Sequence, residues 1–324
     1  MKAIVCTRYG SADTLDLREV DQPVPQPDEV LVRVHVATIS PADIAARTGQ
    51  PWFARLAFGL TKPKKTILGS EFSGVVAAVG ANVDNFAVSD EVFGASGDDF
   101  GCHAEFVCMS KDEAIVPKPS SLSHENAAAL SDGSLTALPF LRDLGKISSG
   151  QDALINGASG AVGSAAVQLA KHFGAQVTGV CSTVNVEFVT SLGADQVIDY
   201  RKEKFTSLSR RYDIVFDTVG KSSFAQSRRV LKPGGIYLRT IPTLAVLLQM
   251  LTTKRFGQKK AAIGFMGLRP PHQKIADLRL LAELFEQGVL KPFIGKQFSL
   301  DQYVRAHELV ESGHKQGNVI LTMT

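Results

Sequence analysis

The pattern that most constrains this chain is an apolar strand, Asp152-Ala-Leu-Ile-Asn156, that runs through Gly157-Ala-Ser-Gly160 directly into a helical pattern from Ala161 to His172. The first N–H groups of a helix have no intrahelical partner, and glycine ahead of them lets a ligand approach the main chain. An anion is favoured there, so strand, turn and helix together predict a cradle for a dinucleotide pyrophosphate, built by Ala158, Ser159, Gly160, Ala161 and Val162. The spacing is Gly157-x-x-Gly160-x-x-Gly163, with Ala158 where the commoner G-x-G-x-x-G fingerprint has its first glycine.

The surroundings repeat the unit. Ala175 to Cys181 reads as a second strand, Val184 to Leu192 as a helix and Gln196 to Tyr200 as a third strand. The pattern continues through Tyr212-Asp-Ile-Val-Phe-Asp217, a helix around Ser223 to Leu231, a Lys232-Pro-Gly-Gly235 turn and a strand from Ile236 to Ile241. Consecutive βαβ units predict an α/β fold with a doubly wound, Rossmann-type parallel sheet.

The end of the second strand reads the adenosine ribose. An Asp or Glu there hydrogen-bonds the ribose hydroxyls of NAD, whereas this chain has Gly179-Val-Cys-Ser-Thr183. The small hydroxyl of Ser182, with Asn185 beyond it, leaves room for a 2′-phosphate. Tyr200 and Arg201, at the end of the third strand, offer a phenol and a guanidinium to the same group. NADPH is therefore the expected cofactor; the alternative is that Ser182 is a turn residue and Arg201 a solvated charge.

A composition of 44% hydrophobic and 21% charged residues, with a formal net charge of +3, is that of an ordinary globular protein. The basic clusters Lys62 to Lys65 and Lys254 to Lys260 are short and lack interleaved aromatics, so nucleic acid is not an expected partner. Four cysteines, at 6, 102, 108 and 181, form no C-x-x-C pair, which argues against a disulfide framework or a zinc ribbon and fits a reducing cytoplasm. No stretch approaches the roughly 20 apolar residues of a membrane span. The most apolar piece, Leu244 to Leu251, reads as a core or cleft helix.

At 324 residues the chain has room for two domains. Its first third holds short strand patterns at Leu15 to Val20, Glu29 to Ile39, Gly74 to Val79, Glu91 to Phe93 and Ala104 to Cys108. In the longest, Val30, Val32, Val34 and Val36 alternate with Leu31, Arg33, His35 and Ala37, a period of two that marks a sheet with unequal faces. We expect a β-rich, partly barrel-like domain over 1–123 and a dinucleotide-binding domain over 124–268. Residues 269–324 should complete the first, with helices at Pro271 to Gln287 and Leu300 to Glu311 and a strand at Asn318 to Met323.

Further motifs join these: Ser40-Pro-Ala-Asp43 with Arg47-Thr-Gly49, Gly69-Ser-Glu-Phe-Ser-Gly-Val-Val76, Asp90-Glu-Val-Phe-Gly94, Leu135-Thr-Ala137, and Ser191-Leu-Gly-Ala-Asp195 with Val197-Ile-Asp-Tyr200. With them the chain resembles the medium-chain dehydrogenase/reductase superfamily over essentially its whole length, specifically its zinc-free quinone oxidoreductase-like members. The resemblance implies a GroES-like catalytic domain, a homodimer, and NADPH-dependent reduction of a quinone or an α,β-unsaturated carbonyl. Zinc alcohol dehydrogenases of the superfamily hold their catalytic metal with a Cys near the Ser40 position and a His at that of Ser70. Hydroxyls do not supply the N/S donors that zinc requires, and Cys102-His103 with Cys108 is too few for a second site, so no metal is expected. Alcohol oxidation needs a stabiliser for its alkoxide, whereas hydride addition to a conjugated C=C spreads the charge over an enolate that one or two hydrogen-bond donors can hold.

The resemblance also implies site residues. It makes Ser40 the donor to the substrate oxygen, with Asp43 holding the loop and orienting Arg47. It puts Thr136 beside the nicotinamide, where capping of its helix is the alternative role. Val219, Thr240 and Ile241, at the carboxyl ends of strands, flank the nicotinamide and ribose, and Asn318 stands where many relatives have Lys near the cofactor. Ser40, Ala45 and Pro51 depart from the reductase pattern, and Val184 stands where relatives have a basic residue. Trp52, Phe53, Phe58 and Phe265 to Leu268 suggest an apolar pocket, with core or interface packing as the alternative. The departures leave two other readings open: a nucleotide-binding regulatory or scaffold protein with little turnover, and a metal-free NADP-dependent alcohol dehydrogenase.

Overall fold

Six strands form one parallel sheet: β1 (Asp152–Asn156), β2 (Gln176–Cys181), β3 (Gln196–Asp199), β4 (Tyr212–Asp217), β5 (Leu231–Arg239) and β6 (Lys260–Ile263). Their spatial order is β3-β2-β1-β4-β5-β6, the doubly wound arrangement in which the strand order reverses beside β1. The central strands are apolar on both faces because helices cover both, and Leu154, Val180, Val215 and Tyr237 join one buried cluster. The computed structural model describes residues 1–323, apart from the side chains at 254, 256 and 266.

This sheet lies in a unit made of Gly133–Met266 with Gln287–Pro292; a second unit comprises Met1–Asp132, Gly267–Glu286 and Phe293–Thr324. The first division between the units lies at Asp132/Gly133. The helix His124–Ala129 buries Ala127, Ala128 and Ala129 within the β-rich unit, Ala128 packs with Val36 and Ile320, and His124 Nδ1 lies 2.8 Å from Ser73 Oγ.

Two local expectations change. Lys232-Pro-Gly-Gly235 is no free turn but part of β5, where pairing with β4 jumps from Tyr212↔Leu231 to Ile214↔Ile236. Lys232 is pinned there by Asp152 and Asp213, each 2.7 Å from its Nζ. Leu244 to Leu251 starts the helix Leu244–Phe256, which is not a core helix: it sets Val246, Leu247 and Met250 on the sheet and leaves Leu244, Leu248 and Leu251 exposed.

In the β-rich unit a seven-stranded sheet is organised around Glu29–Thr38. That strand pairs antiparallel with Glu71–Val79 on one side and with Phe106–Ser110 and Asn318–Thr322 on the other. The expected alternation holds only in its middle: Val30, Val32, Val34 and Val36 are buried, Arg33 is exposed and His35 half-buried, but Leu31 and Ala37 on the other face are buried as well. The C-terminal strand thus supplies a partner to the N-terminal sheet, and Ile39, Phe72, Val92 and Leu321 share its core. Among the described residues no helix is long and apolar enough to cross a membrane.

Candidate functional site: a dinucleotide cradle and a buried polar cluster

At the end of β1 the chain turns through Gly157 at φ +85°, where a Cβ would also lie 2.6 Å from Val219 Cγ1. A Cβ at Gly163 would fall 2.0 Å from the Gly157 carbonyl oxygen, so the helix Ala161–His172 packs on the turn as closely as glycine allows. Gly160 is the N-cap of this helix, and no side chain caps it. A Cβ there would meet a single atom within 4 Å, the Gly157 oxygen at 3.6 Å. Uncapped N–H groups beside open space fit a pyrophosphate. Ala158 is accommodated because the residue facing it on β2 is Gly179, whose Cβ would come within 3.1 Å of the alanine methyl.

The turn is tied to the end of β2. Asn185 Nδ2 donates to Ser159 Oγ and to Ser182 Oγ, each at 3.1 Å. Ser182 accepts in that bond, so its own proton is left to donate. The Tyr200 N–H donates to the Cys181 carbonyl at 3.0 Å, which sets the exposed Tyr200 and Arg201 next to the same strand end. One residue was missed in the sequence: Asp199, whose Oδ2 accepts from Thr183 Oγ1 at 2.7 Å and whose Oδ1 accepts from the Arg201 N–H at 3.0 Å. The Thr183 hydrogen bond holds its carboxyl below the ordinary range. Its signal was present in Val197-Ile-Asp-Tyr200.

Across the switch point, Asp217 ends β4 fully buried. It accepts from Asn156 Nδ2 (2.9 Å), the Gly220 N–H (2.9 Å), the Ser222 N–H (3.0 Å), Ser222 Oγ (2.9 Å) and Tyr237 Oη (3.0 Å). Burial, and then the Asp217 charge, push the Tyr237 phenol upward and keep it a donor. Thr218 Oγ1 bonds the Asn156 carbonyl at 2.9 Å and Thr240 Oγ1 bonds the Thr218 carbonyl at 3.1 Å, so the ends of β1, β4 and β5 are laced together. This presents Val219 and Ile241, each more than a third exposed, beside the glycine turn. Thr136 is the one residue of 131–140 that is not buried. It lies in Leu135–Pro139, between two π-helical turns, Leu130–Ser134 and Phe140–Leu144, so it caps no helix end.

In the β-rich unit, Ser40 caps the helix Pro41–Thr48. Asp43 Oδ2 accepts from the Ser40 N–H (2.8 Å) and Ser40 Oγ (2.9 Å), and Oδ1 accepts from the Gly69 N–H (2.8 Å). Asp43 therefore ties Ser40 to Gly69, and the Ser40 hydroxyl proton goes to Asp43 rather than being left free for a substrate oxygen. Asp43 does not orient Arg47. That side chain lies at the last turn, fully buried, and donates to the Gly10 carbonyl at 2.6 Å and to Glu311 at 2.7 Å. Arg47 is a clasp between distant segments, with no exposed face for a substrate. Asn318 is also turned inward, its Nδ2 donating to the Phe293 carbonyl at 2.9 Å.

Neither Cys102 nor His103 gathers into a metal set. Burial raises the Cys102 thiol, whose Sγ lies 3.6 Å from the Ser70 carbonyl, while His103 Nε2 donates to the Thr38 carbonyl at 2.8 Å. Among the described residues no group of three or more His, Cys, Asp or Glu is placed to hold a metal ion. Phe58 lines a cavity of about 210 Å³ with Leu68 and Phe100, smaller than the ~300 Å³ at which ligand pockets begin. Trp52 and Leu268 are exposed and Phe53 is half-buried, so these aromatics do not assemble into one pocket wall; the Met266 side chain lies outside the described residues.

A second polar group was not legible in the sequence. Glu71 accepts from Thr38 Oγ1 at 2.8 Å, and Asp132, Asp43 and Lys315 lie within electrostatic range of it. Burial, with Asp132 and Asp43 adding to it, holds the Glu71 carboxyl well above the ordinary range. Burial likewise raises Asp132, against the pull of Lys315, and lowers Lys315, against Asp132, Glu71 and Asp43.

Residues 26–120 match the Alcohol dehydrogenase GroES-like domain family and residues 192–321 the Zinc-binding dehydrogenase family. The chain is 35% identical to the 2-methylene-furan-3-one reductase of Solanum lycopersicum, over 99% of this chain and 79% of that protein. It is 30% identical to the chloroplastic NADPH-dependent alkenal/one oxidoreductase of Arabidopsis thaliana, with the same shares covered. Among solved structures it matches the quinone oxidoreductase from Coxiella burnetii with a TM-score of 0.90 and 33% identity, covering 100% of this chain and 99% of that one. Sheet order, glycine cradle and these relatives agree: the chain belongs to the medium-chain dehydrogenase/reductase superfamily, among its quinone oxidoreductase-like members.

Proposed function

We propose that this protein is a zinc-independent reductase that uses NADPH to reduce a quinone or an α,β-unsaturated carbonyl. The observation that carries it is the open, uncapped glycine turn joined through Asn185 to Ser182, with no carboxylate on the end of β2. NADPH, when bound, supplies the hydride. Ala158 to Val162 hold the pyrophosphate, and Ser182, Tyr200 and Arg201 receive the 2′-phosphate. The Asp217 network fixes Val219, Thr240 and Ile241 against the nicotinamide ribose, with Thr136 beside the ring. Ser40 and Asp43 shape the substrate loop. Hydroxyls at Ser40 and Ser70 in place of zinc ligands favour reduction of a conjugated acceptor over alcohol oxidation. Relatives named as an enone reductase, an alkenal/one oxidoreductase and a quinone oxidoreductase support the same chemistry. NADPH oxidation on addition of quinones and enones tests the reading; binding of NADPH without turnover of any acceptor would favour the regulatory or scaffold reading.

Cofactor choice has its own test. Ser182→Asp places a carboxylate where the 2′-phosphate would sit, and repulsion between the two should shift the NADPH/NADH preference by about 100-fold toward NADH. An unchanged ratio of kcat/KM values would show that Ser182 does not read the phosphate.

Two further properties belong to the proposal. The chain forms a homodimer, supported by the outer edge of β6 and by the exposed Leu244, Leu248 and Leu251; a monomer mass by light scattering at working concentration would count against it. It works in a reducing compartment such as the cytoplasm, where its four free cysteines stay unpaired.

A further inference from the structure

Between Gln50 and Thr66 the only charged residues are four cations, Arg55, Lys62, Lys64 and Lys65. A 3-10 turn, Trp52–Ala54, runs there into the short helix Arg55–Phe58, which ends at Gly59. The segment is firmly anchored. Phe58 packs edge-on against Phe100 with 5.8 Å between ring centroids, and the Arg55 guanidinium lies 4.7 Å from the centre of the Tyr9 ring. Tyr9 Oη donates to the Gly59 carbonyl, and the Lys64 N–H donates to the Phe58 carbonyl at 2.6 Å. Yet this anchored segment turns apolar side chains outward: Trp52 is 68% exposed, Leu56 73% and Leu60 69%. Trp52 and Leu56 stand four residues apart, about one helical turn, and so share a face. Single exposed apolar side chains are ordinary, whereas a group of them rimmed by charge marks an interaction site.

We propose that this segment docks on an anionic lipid bilayer, with Trp52, Leu56 and Leu60 entering the headgroup region and Lys62 and Lys64 meeting the lipid anions. The charge pattern favours that surface. Lys62 and Lys64 are exposed and have no ion-pair partner among the described residues, while Lys65 pairs with Asp99 at 2.8 Å. Asp98 and Asp99 share the rim of one cavity with Lys64 and Lys65, so four cations meet two carboxylates and the patch stays positive. A protein interface of ordinary size covers roughly 800 Å² on each partner, more than three side chains can offer. A bilayer sets no such threshold. Tryptophan settles at headgroup level, leucine buries its side chain at the acyl boundary, and each cation near an anionic surface adds attraction. The chain would lie on the membrane rather than span it. Under the reductase reading, docking also brings the protein to apolar quinones and enals, which dissolve in the same bilayer.

Trp52 is the only tryptophan of the chain, so its fluorescence reads the patch itself. The test titrates the full chain with vesicles of phosphatidylcholine containing about one-third phosphatidylserine, and with vesicles of phosphatidylcholine alone. On the anionic vesicles the Trp52 emission should move to the blue and be quenched by brominated acyl chains. Affinity should exceed that for the neutral vesicles by about tenfold or more and fall as salt is raised. Lys62→Glu with Lys64→Glu should weaken binding about 100-fold, and Leu56→Ser with Leu60→Ser about tenfold. Both double variants should melt within about 2 °C of wild type, because all four side chains are exposed. A wild type that gives no blue shift on anionic vesicles would overturn the proposal, as would equal affinity for neutral ones; neither arm depends on a variant folding. Vesicle binding with unchanged Trp52 emission would place the contact elsewhere on the chain and overturn it too. So would a blue shift on concentrating the protein without lipid, which would assign the patch to a second copy. None of these readouts involves turnover, so a protein that binds the anionic vesicles but reduces no quinone or enone would overturn the reductase reading and leave the docking surface standing.

Discussion

Gly160→Ala is expected to weaken NADPH binding by about 100-fold or more while leaving the melting temperature within a few degrees of wild type. The added Cβ meets only the Gly157 oxygen, at 3.6 Å, so the protein can hold it. The space it fills is what a pyrophosphate needs against the uncapped helix N-terminus. Gly163→Ala should do more damage, because its Cβ would lie 2.0 Å from a carbonyl oxygen and 2.7 Å from the carbonyl carbon of Gly157, atoms that no rotamer change can move. Either the helix retreats or the turn opens, and both stability and affinity fall. Fluorescence titration with NADPH, alongside thermal melts, separates the two. Gly160→Ala with affinity within threefold of wild type would mean that this turn does not hold the dinucleotide.

The largest stability effect is expected at Asp217. Asp217→Ala takes away the carboxylate at which the Asn156 amide and the N–H groups of Val219, Gly220 and Ser222 point, while Tyr237 Oη keeps the Ser222 carbonyl at 3.0 Å. Losing the buried acceptor of such a network costs about 3–5 kcal/mol, or about 10 °C in melting temperature for a unit of this size. Asp217→Asn should not rescue it, because its amide places two donors where six others already converge. The damage should reach the cofactor, as the loop at Val219 and the Thr240–Thr218 bond hang from the same carboxylate. A thermal melt of Asp217→Ala within 2 °C of wild type would refute the network's weight.

The nucleotide fold was legible because its signals are local. Strands β1 to β4, the glycine turn and the following helix each announce themselves within a dozen residues, whereas the order β3-β2-β1-β4-β5-β6 rests on which strands pair and no local signal carries it. Even the Ala158 departure was harmless for a reason outside its own segment, the missing side chain at Gly179. The β-rich unit was harder. Arg47 reads as a substrate-side cation in a Ser-Pro-Ala-Asp…Arg motif, yet its partner is Glu311, 264 residues away. Lys315 is invisible for the same reason, since Asp43, Glu71 and Asp132 come from three separate segments and no spacing links them. From 127 to 141 every residue but Thr136 is buried, the polar Ser131, Asp132 and Ser134 included, and two π-helical turns interrupt the helix, so no single helical stripe marks its buried face.

The most direct test of the account is steady-state oxidation of NADPH, with NADH in parallel, against a panel of quinones, enones and enals, with and without a strong chelator. The account predicts acceptor-dependent loss of NADPH absorbance that the chelator leaves unchanged and that NADH supports poorly. Turnover abolished by the chelator and restored by zinc would contradict it, as would a protein that binds NADPH and passes hydride to none of these acceptors.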